Sequence, residues 1–337
     1  MKDIASRLKE YGAHVLAHAN HHLGSCPRSP YLHELILDYP NRGGKMMRPG
    51  ICISTAKAFG AELEEVIPFA ASIELLHNAL LIHDDIQDES EERRGKPTLH
   101  ELHGVPLAIN AGDSLLMLAL GPLFQRCHQY GSRVGQQILD CTLRMAQETA
   151  EGQALDIGWR RDNRLDISVA DYLEMVMKKT AWMSTIWPAQ IGVLIGSQGK
   201  VNPESVTRFG FFLGVCFQIQ DDLLNLNPNN GYGKEAMGDL YEGKKTLMLI
   251  HLRDNSSPSE VQELDRILSL PRSERGPEDV SWLYRQMEEK GSIIYARTVA
   301  EALTGAALHE FSIAFDHLPD SEDKQMMQSL PLWILHK

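Results

Sequence analysis

A chain of 337 residues that is 43% hydrophobic and 23% charged carries enough apolar side chain for a substantial core. Its net charge of −12 argues against non-specific nucleic-acid binding, and no uninterrupted apolar run reaches the roughly eighteen residues of a membrane-spanning helix, so no transmembrane segment is expected. The N-terminal stretch mixes charge and histidine and lacks a secretory signal, while the scattered cysteines Cys26, Cys52, Cys127, Cys141 and Cys216 form no CxxC pair and no disulfide framework; a reducing, cytoplasmic location is expected.

Apolar residues recur at helical spacing almost throughout. Helices are expected over roughly 3–22, 49–59, 62–88, 106–126, 132–155, 168–197, 203–226, 244–253, 277–290, 291–316 and 321–334. The longest early pattern places Val66, Phe69, Ala70, Ile73, Leu76, Leu80 and His83 at three- and four-residue steps. Pro188 falls inside an apolar helical pattern and is expected to kink or interrupt it. Pro40 to Lys45 reads as a turn leading to Pro49 at a helix start. Glu89 to Gly104 and the glycine-rich Asn227 to Gly243 read as loops, the second long enough to be functional. No alternating strand pattern persists, no linker divides the chain and no repeat stands out. The expectation is a single all-α domain spanning 1–337.

Two acidic clusters end two of these helices. One is Asp84-Asp85-Ile86-Gln87-Asp88; the other is Asp221-Asp222-Leu223-Leu224-Asn225. The first and fifth residues of each share a helix face, about 5–6 Å apart at Cβ. Two carboxylates that close repel by roughly 3 kcal/mol at an effective dielectric of about 20, and apolar neighbours such as Leu80, Leu81, Val215 and Phe217 raise that cost. A lone DDxxD string is usually solvated charge. Two of them in apolar helices call for cations, and oxygen ligands without Cys or His suit Mg²⁺ or Mn²⁺ rather than zinc.

Basic residues gather around the same segments: Lys45 and Arg48 after the Gly43-Gly44 turn, Arg93 and Arg94 just past the first cluster, Lys178 and Lys179 before Thr180, and Lys234, Lys244 and Lys245 around Asp239. Any one alone can be read as a solvated charge, and Lys178 and Lys245 read equally well that way. Together with metal-bridging carboxylates they describe a receptor for polyphosphates, with Arg forks and Lys point charges taking the phosphate oxygens.

These residues resemble the trans-isoprenyl diphosphate synthases of the polyprenyl synthetase family, most closely the geranylgeranyl type. The similarity runs in order through GGKMMRP at 43–49, ELLHNALLIHDDIQDESEERRGKPT at 74–98, NAGD at 110–113, GQALD at 152–156, KKTA at 178–181, FQIQDDLLN at 217–225 and GKEAMGDLYEGKKT at 233–246. It implies an all-α bundle around a deep central cavity, a homodimer, and condensation of isopentenyl diphosphate with an allylic diphosphate (dimethylallyl, geranyl or farnesyl). It implies Asp84, Asp88 and Asp221 as direct ligands of three Mg²⁺ ions, with Asp85, Asp222 and Asn225 supporting the metal waters. It implies Arg93, Lys179, Lys234 and Lys244 on the allylic diphosphate, and Gly44, Lys45, Arg48, His77 and Arg94 around isopentenyl diphosphate. Thr180 and Gln218 would face the allylic cation.

Three departures from the family pattern carry expectations. Met46 stands where Arg is common, so one phosphate-pocket charge is expected to be missing. Asn225 replaces the last Asp of the second motif, as in eukaryotic-type geranylgeranyl synthases, and removes a charge. The glycine expected after Lys234 is displaced, with Met237 preceding Gly238. Chain length is expected to be set by Ala79 and Leu80, with Leu76 and Ile73 deeper. Family members with short products often carry aromatics at the first two positions, so Ala79 leaves room for a twenty-carbon product. A farnesyl or longer product, a terpene cyclase on the same scaffold and a non-catalytic partner subunit are the alternatives; the retained Lys45, Arg48, His77 and Arg94 argue against the cyclase, and the two surviving acidic motifs against the partner subunit.

Overall fold

Leu8, Tyr11, Val15, Ala19 and Leu23 repeat at three- and four-residue steps and are all buried on the first helix of a computed structural model, which describes residues 3–26, 29–226 and 237–336. The helices in order are α1 Ile4–Gly24, α2 His33–Asn41, α3 Met47–Ala58, α4 Leu63–Gln87, α5 Leu99–His103, α6 Val105–Cys127, α7 Gly131–Arg161, α8 Val169–Val176, α9 Trp187–Gly196, α10 Thr207–Asn225, α11 Gly238–Glu242, α12 Leu247–Asp254, α13 Pro258–Ser269, α14 Pro277–Glu289, α15 Ser292–Phe315 and α16 Glu322–Leu335. The all-α expectation agrees with this architecture.

One apolar cluster joins α1, α4, α6 and α9. A second joins α8, α10 and α12 through α16, with Met47 and Ile51 of α3. Between them runs the π-helix Met177–Ile186, which connects α8 to α9. Such wide turns are rare and concentrate at functional sites. Two glycines allow its neighbours to approach: a Cβ on Gly152 of α7 would stand 2.1 Å from the Lys179 nitrogen, and one on Gly214 of α10 would stand 2.5 Å from the Ala181 Cβ. The backbone that carries Lys179 and Thr180 is therefore clasped from both sides.

The helix expected over 168–197 is thus three pieces, and the interruption is a change of helix type just before Pro188, which lies in the first turn of α9. Helices α2, α5, α11 and α13 were not anticipated, α11 falling in the segment read as a loop. Nor was the short hairpin of β1 Glu92–Arg93 and β2 Lys96–Pro97. Arg94 and Gly95 form its two-residue turn with φ of 55° and 72°, the left-handed pair that matches strand twist.

No uninterrupted apolar run of membrane-spanning length occurs, but two helices are apolar on average over such a length. Leu63–Gln87 and Val105–Arg161 each contain a segment long and apolar enough by composition to cross a membrane. The first segment is 78% buried inside the bundle, as a core helix would be. The second is 39% buried, because α6 turns Val105, Ile109, Met117 and Phe124 outward on one face.

Candidate active site

Both acidic clusters lie at the C-terminal ends of their helices, α4 and α10, where the backbone already presents unpaired carbonyls and partial negative charge. Cations are needed there, and the fold brings them from distant segments. Asp85 is fully buried. Arg93 grips both its oxygens, with Nε at 2.9 and 3.1 Å and Nη2 also on Oδ1, and the Tyr39 hydroxyl of α2 donates at 2.6 Å. Asp84 is partly exposed; it accepts from Gln153 Nε2 at 3.1 Å and lies 3.7 Å from Lys179 Nζ and 3.6 Å from Arg93 Nη2. The buried Asp88 pairs with Arg160 at 2.8 Å and Lys244 at 3.2 Å.

Asp156 links these cations, holding Lys179 at 2.6 Å and lying 3.6 Å from Arg160. Burial alone would lower the Lys244 ammonium, but Asp88, Glu242, Asp239 and Asp84 raise it well above its ordinary range. Lys179 is raised against its own burial by Asp156, Asp84 and Asp88. Both are charged at neutral pH.

In the second cluster Asp221 is partly exposed and Asp222 is buried. Burial, then the neighbouring Asp239, push the Asp222 carboxyl up to about 8. Gln218 Nε2 donates to it at 2.7 Å and the Tyr172 hydroxyl at 3.0 Å, while Thr180 donates to Gln218 Oε1 at 2.7 Å. A hydrogen-bonded row therefore runs from Thr180 to Tyr172.

Asn225 is committed differently from the expectation of a water-supporting side chain. Its Oδ1 accepts the Asp239 N–H at 3.0 Å, and its carbonyl accepts the Met237 N–H at 2.9 Å. It anchors α11, which carries Asp239 and Glu242 and leads into Lys244. Met237 holds φ 58° at the start of α11, a left-handed position where glycine would be unstrained. The displaced glycine thus leaves a strained methionine. Lys234 lies outside the described residues.

A second, basic pocket adjoins α4. Arg48 Nη1 lies 3.1 Å from His77 Nε2, and Arg94 Nη1 donates to the Tyr39 carbonyl at 3.2 Å and to Asn78 Oδ1 at 3.4 Å. Gly44 leaves room for the Arg94 guanidinium, which would stand 3.0 Å from a Cβ there. The buried Glu74 is the local counter-charge, and Asn78 donates to it at 3.0 Å. Burial, then Arg48, Arg94 and Arg93, hold His77 well below its ordinary range, so it is neutral. Arg48 is pushed down to about 10 by burial and stays charged. Lys45 is exposed on the adjoining turn. Two arginines against one carboxylate give the pocket a net positive character suited to an anion.

The Met46 expectation is corrected here. Its side chain is buried against Gly12 of α1, so the position points into the core, and the methionine takes no charge from the pocket. Lys178 faces outward to Glu151 and Glu148, and the buried Lys245 bonds Asn163 away from the acids. Neither joins the site. Leu80 shares the face of Asp84 and is half-buried, whereas Ala79 and Leu76 are buried.

Sequence reading missed Tyr39, Arg42, Arg160, Tyr172 and Arg272. Arg42 holds the Arg93–Arg94 hairpin by donating to Arg93, Lys96 and Pro97 carbonyls at 3.0, 3.3 and 2.8 Å. Arg272 reaches the Asp88 carbonyl at 3.4 Å and Glu242 at 3.1 Å. One signal was available for Arg160: Gln153, Asp156 and Arg160 share a helix face at three- and four-residue steps.

Among the described residues no three His, Cys, Asp or Glu side chains converge as a preformed metal cage. The fit lies in the donor chemistry. Asp84, Asp88 and Asp221 offer oxygen alone, and Mg²⁺ is commonly held by one or two carboxylates together with substrate phosphates.

A polyprenyl synthetase family model matches residues 29–287. A geranylgeranyl diphosphate synthase of Methanosarcina mazei is 31% identical over 296 residues, 88% of this chain and 86% of that one. A geranylfarnesyl diphosphate synthase of Natronomonas pharaonis is 30% identical, over 88% of this chain and 86% of its own. The crystal structure of a geranylgeranyl pyrophosphate synthetase from Pyrococcus horikoshii superposes with a TM-score of 0.86 at 29% identity, covering 99% of this chain and 98% of that one. The all-α bundle and its paired acid clusters are those of a prenyltransferase. The chain belongs to the polyprenyl synthetase family.

Proposed function

We propose that this chain performs the Mg²⁺-dependent 1′–4 condensation of isopentenyl diphosphate with an allylic diphosphate, releasing diphosphate and making geranylgeranyl diphosphate. The observation that carries the reading is the presence of two separate groups of cationic side chains. One is the acid–cation cluster of Asp84, Asp88, Lys179 and Lys244; the other is the half-buried Arg48–His77–Arg94 pocket. A cyclase, which handles one diphosphate, has no use for the second.

In this reading Asp84, Asp88 and Asp221 would hold the metal, which would supply positive charge to the leaving diphosphate. Arg93, Lys179, Lys244 and Lys234 bind the same group; Gly44, Lys45, Arg48, His77 and Arg94 bind isopentenyl diphosphate. Breaking the allylic C–O bond leaves a diphosphate more negative than the ester, so the lysines and arginines stabilise the transition state more than the ground state. The Thr180 and Gln218 dipoles face the allylic cation, which must be kept from water. The isopentenyl double bond attacks that carbon, a new C–C bond forms, and a proton leaves to the departed diphosphate. Asp85 and Asp222 act from behind, Asp85 by fixing Arg93 and Asp222 by orienting Gln218.

Support for the twenty-carbon product is the small Ala79 and the synthases of that product among the relatives; the geranylfarnesyl relative marks twenty-five carbons as the competing length. The exposed apolar face of α6 suits a second copy of the chain, and five free cysteines suit a reducing cytosol. The test is a Mg²⁺-dependent assay with labelled isopentenyl diphosphate and separate dimethylallyl, geranyl and farnesyl primers, read by mass after dephosphorylation. A product ladder ending at twenty carbons is expected. Hydrocarbon release without isopentenyl incorporation would establish the cyclase instead, and activity only after a second subunit is added would establish the partner role.

A further inference from the structure

Arg160 has no place in the roles above, yet it occupies a carboxylate assigned to metal. Its Nη2 lies 2.8 Å from Asp88 Oδ1, and the Asp88 side chain is fully buried. Lys244 stands 3.2 Å from the other oxygen. A divalent cation can use Asp88 only if at least one of these partners gives way. Lys244 keeps alternatives in Asp239 at 3.1 Å and Glu242 at 2.6 Å. The second carboxylate paired with Arg160 is Asp156, at 3.6 Å, which Lys179 already holds at 2.6 Å, while Glu242 acts on Arg160 only from longer range. Once Asp88 turns to metal, the region around Asp156 has two cations on one carboxylate. Arg160 is mostly buried, with its side chain 13% exposed, so solvent screens it poorly. The electrostatically balanced outcome is a new anion, and the one that arrives with the metal is a diphosphate. A planar guanidinium matches that partner with paired hydrogen bonds.

We propose that Arg160 is a further ligand of the allylic diphosphate, held on Asp88 until metal claims that carboxylate; this rests on the functional reading above. The purified chain is titrated with inorganic pyrophosphate in the presence of Mg²⁺ by calorimetry, in the wild type, Arg160→Gln and Arg160→Lys. Arg160→Gln is expected to weaken pyrophosphate about tenfold, the scale of a lost charge-assisted contact, and Arg160→Lys to restore part of it. KM for the allylic substrate should rise in step, while KM for isopentenyl diphosphate stays within about twofold. Unchanged pyrophosphate affinity with only a lowered Tm would make Arg160 a brace between α7 and α4 and overturn the proposal, and so would tighter binding in Arg160→Gln, the mark of simple competition for Asp88. Pyrophosphate binding needs no condensation. A wild type that binds it through Arg160 yet incorporates no isopentenyl unit would therefore sink the functional reading and leave the Arg160 assignment standing.

Discussion

Tyr39 donates its hydroxyl to Asp85 at 2.6 Å, while its own backbone carbonyl accepts Arg94 at 3.2 Å. One buried residue of α2 thus touches the acidic cluster through its side chain and the basic pocket through its main chain. Its neighbour Arg42 stacks over the Tyr39 ring at 4.5 Å and fixes the hairpin that carries Arg93 and Arg94. The acidic cluster and the basic pocket therefore share a support. Removing only the hydroxyl should leave the pocket side intact and strip one donor from a buried carboxylate, which costs roughly 1–3 kcal/mol. Tyr39→Phe is expected to lower stability by that amount in denaturant titration and to raise the half-saturating Mg²⁺ concentration, with KM for isopentenyl diphosphate unchanged. A variant indistinguishable from wild type in both readouts would show that Arg93 alone holds Asp85.

The acids at the helix ends carry the strongest prediction. Asp84→Asn and Asp221→Asn each keep size and one oxygen but remove the charge that would hold a metal ion in the proposed reaction. By analogy with removal of one preorganised electrostatic contact, each should lower kcat/KM by about 10²–10³, with partial recovery at raised Mg²⁺. Lys178→Ala, which breaks only an outward pairing to Glu151 and Glu148, should leave kcat/KM unchanged in the same assay.

Much of this was legible in the chain because it is local. The acid pairs are five-residue strings in periodic apolar helices, and Arg93 and Arg94 follow the first string within a few positions. Tyr39, Arg160 and Tyr172 reach the acids from 46, 72 and 50 residues away; the helix face that Arg160 shares with Gln153 and Asp156 is a local hint, but nothing around Tyr39 or Tyr172 announces the contact. Met46 shows the opposite limit. A motif position predicts residue type, but its left-handed backbone, φ 53°, turns the side chain into the core against α1. Helix α13 was missed although Ser257 and Glu260 form a capping box, because only Leu264, Ile267 and Leu268 of its residues are buried and the rest of the pattern reads as polar.

His77 gives a pH prediction. Burial among Arg48, Arg94 and Arg93 keeps its folded-state pKa well below the ordinary 6.5. As pH falls through about 6.5 the unfolded chain binds a proton that the folded chain refuses, so stability falls on the acid side. The contribution is fully present above that pH. His77→Gln, polar and uncharged at any pH, should show a shallower loss of Tm between pH 7 and 5 than wild type. Equal slopes would mean that His77 protonates in the fold and that the basic pocket tolerates a third positive charge.

Chain length is tested at Ala79 and Leu80. Ala79 is fully buried, so Ala79→Phe adds volume to a packed region at a cost of roughly 1–3 kcal/mol. If the growing tail runs along α4 away from Asp84, the ring blocks it early, and product analysis should show fifteen carbons or fewer. Leu80→Phe places the ring on the half-buried face shared with Asp84 and should shorten the product with a smaller Tm loss. Unchanged product length in both variants would move the tunnel off this side of α4.

The last prediction concerns the outward face of α6. Met117 is 69% exposed and Phe124 51%; they lie seven positions apart, on the same side as Val105 and Ile109. Leu143 of α7 is 68% exposed and adds to the large apolar surface left open by these two helices. Isolated exposed apolar residues are ordinary, but several aligned on one helix signal a covering partner. A two-fold interface would lay the same strip on itself. The paired substitution Met117→Asp with Phe124→Asp introduces like charges on both copies, which oppose each other across such an interface. Sedimentation is expected to give a dimer for wild type and a monomer for the variant. A monomeric wild type that instead sediments with lipid vesicles would assign the strip to a membrane surface and remove the second copy from the proposed function.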